Sequence, residues 1–173
     1  MLDRILDNLP EYAKDIKLNF SSIVNNHNGL LSEVQFWGII LASSITNKNE
    51  ELIAAVKAEK PEIFDEKLIF GANAAVSIMS MTNIYYRFLH LTENKAYSTM
   101  HAGLRMNVMR NPGVDSIDFE MMCLAVSIIN GCGMCVDSHE KQLIKHGISL
   151  ETIQLIAKIA AIINSLSLTM IVG

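Results

Sequence analysis

The residues of this chain best suited to chemistry are two cysteines three positions apart, Cys132 and Cys135, followed by His139. If Cys132 begins a helix, free N–H groups and the helix dipole lower the pKa of its thiol from the usual value of about 8.5. His139 comes four residues after Cys135, so its imidazole lies on the same helix face and is placed to take a proton from that thiol. The spacing therefore indicates redox, nucleophilic or metal chemistry in this segment.

Three other kinds of site use cysteines at such a spacing. A haem attachment site is excluded because it needs His directly after the second Cys, where this chain has Val136. A structural zinc site needs four ligands, and only Cys132, Cys135 and His139 are suitably spaced. A structural disulfide is disfavoured in a reducing cytosol. The residues thus favour a redox-active dithiol, with the zinc site and the structural disulfide as alternatives.

Glu120 and Cys123 precede the cysteine pair on the preceding predicted helix. Glu120 lies among apolar neighbours, where a carboxylate is able to hold or pass a proton. The alternative for Glu120 is an exposed carboxylate in the first helical turn, where the dipole favours it. Cys123 falls on the apolar stripe of the same helix, so it is predicted to be an inert buried thiol.

Helices have to position these residues, because the chain has only 9 glycines and 3 prolines and its apolar residues recur at helical spacing. Two capping boxes, Ser32 with Gln35 and Asn47 with Glu50, mark helix starts. A run of polar residues at 25–29 ends the first helix. The predicted helices run from about Pro10 to Val24, Ser32 to Ile45, Asn47 to Lys60, 62 to 91, Ser116 to Asn130, Cys132 to His146, and onward from Ser149. The predicted fold is a single all-α domain over residues 1–173.

Composition narrows the class of protein. The 173 residues carry a formal charge of −4 without a basic run, which excludes a nucleic-acid-binding role. The charged N-terminus lacks the apolar core of a secretory signal, so a cytoplasmic location is expected. Residues 153–172 have the length of a membrane span, but Lys158 at the centre costs about 2.5–3.5 kcal/mol, and this predicts a buried helix and no membrane. Half of the residues are apolar, and a chain of this size cannot bury so many without leaving apolar patches on its surface. This predicts a homo-oligomer, in which such patches are covered.

The two halves of the chain share an order of features, which predicts a duplicated helical unit at about 30–91 and 116–172. In each half an acidic residue, an apolar helix, a break at Asn and a charged helix precede a long apolar helix. In this alignment the first copy has lost the reactive residues. The positions that match Cys132, Cys135 and His139 are Ile45, Lys48 and Leu52.

At these residues the chain resembles a known family. The segment Asn130-Gly-Cys-x-x-Cys-x-x-x-His-Glu140, with Glu120 twelve residues before Cys132, is similar to the alkyl hydroperoxide reductase D (AhpD) family of the carboxymuconolactone decarboxylase-like superfamily. Further segments that resemble the family are Leu9 to Asn19, Trp37-Gly38, Leu104 to Asn107 and Asn111 to Gly113. The resemblance covers nearly the whole chain.

The resemblance implies an all-α homotrimer that acts as an antioxidant, lipoyl-dependent alkyl hydroperoxide reductase of the peroxiredoxin type. Such a protein reduces organic hydroperoxides and passes electrons to the peroxiredoxin AhpC. It binds no cofactor tightly. Its reductant is the lipoyl group of a dihydrolipoamide acyltransferase, which dihydrolipoamide dehydrogenase and NADH supply with electrons. The alternatives are an electron-transfer adaptor with little peroxidase activity and a carboxymuconolactone decarboxylase-like lyase.

Transferred residue by residue, the resemblance implies that Cys135 is the peroxidatic thiol, which becomes a sulfenic acid and forms the mixed disulfide with AhpC. Cys132 is then the resolving thiol and proton donor, and the two form a disulfide. His139 and Glu120 form the relay that activates Cys135. One position departs from the family pattern: the most similar members have a His between the cysteines, where this chain has Met134. A second imidazole contribution is therefore not expected here.

Overall fold

The regular structure is helical throughout the residues that the computed structural model describes, 1–27 and 29–172. Eight α-helices lie in these ranges: α1 Leu2–Asp7, α2 Lys14–Asn26, α3 Glu33–Thr46, α4 Glu50–Glu59, α5 Glu66–Leu91, α6 Ser116–Ile129, α7 Gly133–Lys145 and α8 Leu150–Val172. Short 3-10 helices occupy Glu11–Ala13, Lys95–Thr99 and Asn107–Arg110. The all-α prediction is confirmed.

Helix ends follow the capping residues closely in three places. Ser32 caps α3 with the predicted capping box, in which the Gln35 amide N–H donates to Ser32 Oγ and Ser32 N–H donates to Gln35 Oε1. The Thr152 amide donates to Ser149 Oγ at the start of α8. Gly147 follows α7 with a φ of 82°, a conformation in which glycine avoids the steric cost of a Cβ.

Three predicted helix starts were wrong. Asn49, and not Asn47, caps α4, because α3 continues to Thr46, Asn47 is its C-cap, and Lys48 takes a left-handed φ of 58° after it. Pro10 has an extended ψ of 156° and precedes only a 3-10 turn, so α2 begins at Lys14, behind a separate helix α1. The long helix begins at Glu66, where the amide of Leu68 donates to Asp65 Oδ1. The end predicted at 25–29 includes Asn28, which lies outside the described residues.

Helices α3 and α6 pack against each other at the centre of the core, and α5 and α8 flank both of them. Each central helix is buried for most of its length, over residues 36–44 and 119–127. Gly38 allows the close approach of neighbouring helices, since a Cβ there would lie 3.1 Å from Leu68 Cδ1. The apolar excess of the sequence is therefore largely a buried central pair with two covering helices.

Helices α5 and α8 are long and apolar enough to cross a membrane by length and composition alone. In this fold both helices pack against other helices of the chain. The face of α8 that includes Ile156, Ile159 and Ile163 is fully buried against the other helices. α5 packs on α3 and α6 in the same way. These contacts favour core helices, as predicted for residues 153–172.

The long connection from α5 to α6 crosses the end of the bundle where the cysteines lie. It is tied down at its far end by Val114, whose methyl groups pack so close to Gly71 that a Cβ there would lie 2.8 Å from Cγ2. Gly113 turns the chain beside it with a φ of 82°. This packing holds the methionines of the connection, Met106 and Met109, over the first turn of α7.

Candidate active site

The reactive segment begins at the junction between α6 and α7. Gly131 has a φ of 67°, its N–H donates to Ile128 O, and the N–H of Cys132 donates to Ser127 O. These two bonds form the Schellman ending of α6. Cys132 is at the same time the N-cap residue of α7. One turn of backbone thus ends the first helix and places Cys132 at the positive end of the next.

Cys132 and Cys135 form a disulfide with a Cα–Cα distance of 5.3 Å. Cys132 is a cap residue with extended backbone, whereas Cys135 lies inside the first turn of α7. The two sulfur positions differ in access, because Cys132 is completely buried and Cys135 is 7% exposed. An incoming reagent therefore meets Cys135 first.

His139 and Glu120 form a pair between α7 and α6. His139 Nδ1 lies 2.7 Å from Glu120 Oε2, and the imidazole is 6% exposed. A carboxylate only accepts hydrogen bonds, so Nδ1 is the donor and the ring orientation is fixed. Glu120 is thus a partly buried residue of the site and not simply a solvated first-turn carboxylate. The structure brings together all four residues singled out in the sequence.

A pocket of about 330 Å³ opens between α5, α7 and the connection that follows α5. Cys135, Ser138 and His139 contribute from α7. The remaining lining is mostly thioether and aromatic: Met79, Thr82 and Tyr86 from α5, Met106 and Met109 from the connection, and Met134. Cys132 does not line it. A small molecule with an apolar body is able to reach the Cys135 sulfur beside His139.

The loop before Cys132 is anchored by polar side chains of α5. Arg87 Nη1 donates to the Asn130 carbonyl oxygen over 2.6 Å, and Asn130 Nδ2 donates to Asn83 Oδ1 over 3.0 Å. The fully buried Asn83 in turn donates to Ser127 Oγ over 3.0 Å. Each bond crosses between α5 and the α6 end, so this network fixes the backbone that carries Cys132.

The sequence interpretation did not find Asn83, Arg87 or Met79. One signal was present for the first two. Asn83 and Arg87 are polar residues four apart in a long apolar helix, which puts them on one face, and a buried polar residue in such a helix requires a partner. Met79 carried no signal, because a methionine at an apolar position is indistinguishable from core in one sequence.

Two further predictions concern the neighbouring residues. Cys123 is fully buried, as predicted, and desolvation raises the pKa of its thiol well above the usual range, with a smaller contribution from the Glu120 charge. Met134, the residue between the cysteines, is 45% exposed at the pocket edge. Gly133 has open space where a Cβ would lie. Of these two glycines, Gly131 is the one whose left-handed φ favours glycine.

The helix junctions after α3 and α6 share one backbone geometry, and the duplicated unit stays a prediction. Lys48 and Gly131 hold the left-handed position after α3 and α6, and both N–H groups donate to the carbonyl three residues back. The residues equivalent to Cys132, Cys135 and His139 are then Asn49, Leu52 and Val56, four positions beyond those predicted. The left-handed residue, and not the first Asn, sets the alignment.

Comparison with known proteins agrees with this geometry. The model of the Carboxymuconolactone decarboxylase family matches residues 96–168. The chain is 46% identical to the alkyl hydroperoxide reductase AhpD of Maricaulis maris over 96% of its length and 95% of the relative. It is 45% identical to the AhpD of Rhodopseudomonas palustris over 99% of its length and 94% of the relative. It is 46% identical to the AhpD of Brucella canis over 98% of its length and 95% of the relative. Because the similarity reaches 45–46% identity over almost the entire chain and almost the entire length of these relatives, this protein belongs to the AhpD family.

Proposed function

We propose that this protein is an antioxidant thiol peroxidase that reduces alkyl hydroperoxides with the Cys132–Cys135 pair. The observation that carries the proposal is the difference in access between the two thiols. Cys135 lines an apolar pocket beside His139, while Cys132 is buried behind it within disulfide distance. The relatives named alkyl hydroperoxide reductase support the same chemistry.

In the oxidative half of the cycle, Cys135 acts as the nucleophile. His139, oriented by Glu120, takes the thiol proton, and the thiolate attacks the terminal oxygen of R–O–O–H. The O–O bond breaks, the alkoxide takes the proton from His139 and leaves as the alcohol, and Cys135 becomes a sulfenic acid. The Cys132 thiol then attacks this sulfur, releases water and closes the disulfide seen in the structure.

In the reductive half of the cycle, the reductant attacks the more accessible sulfur of the disulfide. A dithiol attacks Cys135, because Cys132 is buried, and Cys132 leaves as a thiolate. Its position as N-cap of α7 stabilises that negative charge through the first amide N–H groups and the helix dipole. The second thiol of the reductant then releases Cys135. We propose a lipoyl group on an acyltransferase as this dithiol, with no tightly bound cofactor.

Substitution of the thiols tests the proposal. With tert-butyl hydroperoxide and dihydrolipoamide, Cys135→Ser is expected to lose turnover, and Cys132→Ser is expected to accumulate a sulfenic acid that a dimedone probe labels. Cys123→Ser is the matched control, since that buried thiol lies outside the pocket. Full turnover by Cys135→Ser would rule out the proposed peroxidase.

The same cysteines serve a second candidate function, an electron-transfer adaptor between a lipoyl domain and AhpC, with Cys135 in the mixed disulfide. The exposure of Cys135 over Cys132 favours it equally. We expect AhpC to add to the hydroperoxide rate, not to create it. A rate that is negligible without AhpC and large with it would favour the adaptor.

The family model is named for a decarboxylase, which makes a carboxymuconolactone decarboxylase-like lyase the third candidate. Such a reaction does not need a thiol pair. Alkylation of the reduced thiols with iodoacetamide separates it from the other two. We expect alkylation to abolish activity, and lyase activity that survives it would contradict the peroxidase.

We propose in addition that the protein is a cytoplasmic homotrimer. An exposed apolar stripe on α5 supports an assembly: Phe70, Met81, Ile84, Phe88 and Leu91 are each more than a third exposed and recur along one side of the helix. Such a stripe favours contact with another subunit. Light scattering after size exclusion tests the assembly, and a monomer at micromolar concentration would contradict it.

A further inference from the structure

The second ring nitrogen of His139 faces a thioether. His139 Nε2 lies 3.2 Å from Met79 Sδ, on the opposite side of the ring from Glu120. Since Nδ1 donates to the carboxylate, a bare lone pair on Nε2 would face the sulfur lone pairs at this distance. The contact is favourable when Nε2 carries a hydrogen and donates it to sulfur. The geometry therefore matches an Nε2–H group that donates to the Met79 sulfur.

Met79 is accessible only from the pocket. Its side chain is 3% exposed, it lines the same cavity as Cys135, and Thr82 Oγ1 lies 3.8 Å from its sulfur. A hydroperoxide that enters the pocket after Cys135 has formed the disulfide finds no thiolate. The Met79 thioether lines this pocket in contact with His139, and hydroperoxides oxidise a thioether to a sulfoxide.

We propose that Met79 is a modification site, oxidised by the hydroperoxide substrate when the thiols stay in the disulfide form. The sulfur attacks the terminal oxygen of R–O–O–H, and the O–O bond breaks. Two electrons pass from sulfur to the peroxide. The proton on His139 Nε2 goes to the departing alkoxide, which leaves as the alcohol, and the hydroxyl proton on the new S–O bond returns to Nε2. The products are one sulfoxide and one alcohol. This inference rests on the proposed peroxidase function.

The contact with His139 makes Met79 selective. Oxygen transfer to a thioether needs a proton for the leaving alkoxide, and His139 Nε2 holds one 3.2 Å from the sulfur. Met100 is 60% exposed on the connection after α5 and lies outside the pocket, so it is the matched reference. Peroxide in solution reaches Met100 freely, because this side chain faces solvent.

Oxidation of Met79 would switch the peroxidase off. A sulfoxide oxygen is a much better hydrogen-bond acceptor than a thioether sulfur, so it retains the Nε2 hydrogen that the thioether readily releases. The imidazole is then unable to take the thiol proton of Cys135 when reductant returns. The enzyme thereby loses activity when hydroperoxide is in excess over the dithiol reductant. Dithiols do not reverse the change, because methionine sulfoxide requires its own reductases.

The test uses the full-length protein in its disulfide form. Wild type, Met79→Leu and Met100→Leu are treated with tert-butyl hydroperoxide without reductant, freed of peroxide, and then given dihydrolipoamide for the peroxidase assay. Each protein is compared with its own rate before treatment. Peptide mass spectrometry locates added oxygen, and a thiol titration after reduction confirms that both active cysteines are intact.

We expect Met79 to gain one oxygen before Met100 does. As Met79 is oxidised, the peroxidase rates of wild type and Met100→Leu are expected to fall about tenfold from their own values before treatment. Met79→Leu is expected to keep its own rate within about twofold. Oxygen on Met100 with none on Met79, or equal inactivation of Met79→Leu, would overturn the proposal. Untreated wild type without turnover would count against the peroxidase instead, because oxygen at Met79 is scored by mass alone.

Discussion

Two histidine–glutamate pairs in this molecule share one nitrogen–oxygen distance and differ in their surroundings. His139 lies 2.7 Å from Glu120, and His27 lies 2.7 Å from Glu33. Both rings are buried, with exposures of 6% and 4%. The pair itself therefore does not make a catalytic site.

The difference is what the other ring nitrogen meets. His27 Nδ1 lies 2.8 Å from the Val24 carbonyl oxygen, and its ring stacks on Phe36 with centroids 3.9 Å apart. Both of its nitrogens are thus held by oxygen acceptors, which ties the end of α2 to the start of α3. His139 presents its second nitrogen to Met79 in a pocket that also contains Cys135. His27 thus connects two helices, whereas His139 lies in the pocket of the reactive thiol.

The largest effect is expected from substitution of His139, which removes the imidazole from its pair with Glu120. His139→Gln should lower the hydroperoxide rate by about 10²–10³-fold, because general acid–base groups contribute about 10²–10⁴-fold. His27→Gln should leave the rate unchanged, since it lies outside the pocket. The comparison is a dihydrolipoamide-dependent peroxidase assay at several pH values. Equal losses in the two variants would mean that both histidines act through folding.

The next effect concerns stability at the structural pair. His27→Ala removes a buried ring, its stacking on Phe36 and two hydrogen bonds, so we expect unfolding in urea to require about 2–4 kcal/mol less free energy. The Glu33 carboxylate keeps Trp37 Nε1 as a partner at 3.2 Å. A variant with unchanged urea midpoint would show that the α2–α3 connection is held without this histidine.

The two helix junctions allow a reciprocal exchange with a smaller effect. Gly131→Ala places a Cβ at a φ of 67° and should cost about 1 kcal/mol, whereas Lys48→Gly relieves a φ of 58° and should stabilise by a similar amount at most. Urea midpoints measure both. Gly131→Ala should also lower the peroxidase rate, because this turn places Cys132, and Lys48→Gly should not. Destabilisation by Lys48→Gly would contradict the equivalence of the two turns.

The smallest effect is a pH dependence at the structural pair. The hydrogen bond from His27 lowers the pKa of Glu33 from its ordinary value of 4.5, burial opposes this, and the Trp37 hydrogen bond adds to it. The folded pKa is depressed, so the stabilisation is complete above pH 4.5 and is lost as the pH falls through the lowered value. Wild type should therefore lose its stability advantage over Glu33→Gln in that acidic range. Urea midpoints from pH 6 to pH 3 check this, and an advantage that grew on acidification would refute it.

The sequence was sufficient where a local pattern has one physical solution. Ser32 with Gln35 and Gly147 after α7 mark helix ends through bonds within a few residues, and the structure confirms both. It was misleading at Asn47, because two asparagines in Asn47-Lys48-Asn49 are equally good caps by type. The left-handed Lys48, which no propensity favours, decides between them.

The reactive set was also within reach of one sequence, because Cys132, Cys135 and His139 are neighbours on a single helix and their relative positions follow from its pitch. Glu120 required more, since its distance to His139 depends on how α6 packs on α7. Asn83, Arg87 and Met79 lie more than forty residues before the cysteines and reach the site only through the packing of α5.

By itself, then, the sequence determined the helices, the thiol pair and its nearest base, because helix pitch and capping act over a few residues. Tertiary structure decided which thiol faces the pocket, which of the two histidines lies beside that thiol, and which side chains hold the turn before Cys132. These depend on burial and on contacts between helices distant in the chain. A single sequence carries both histidines as the same letter, and only the packing around them makes one structural and the other chemical.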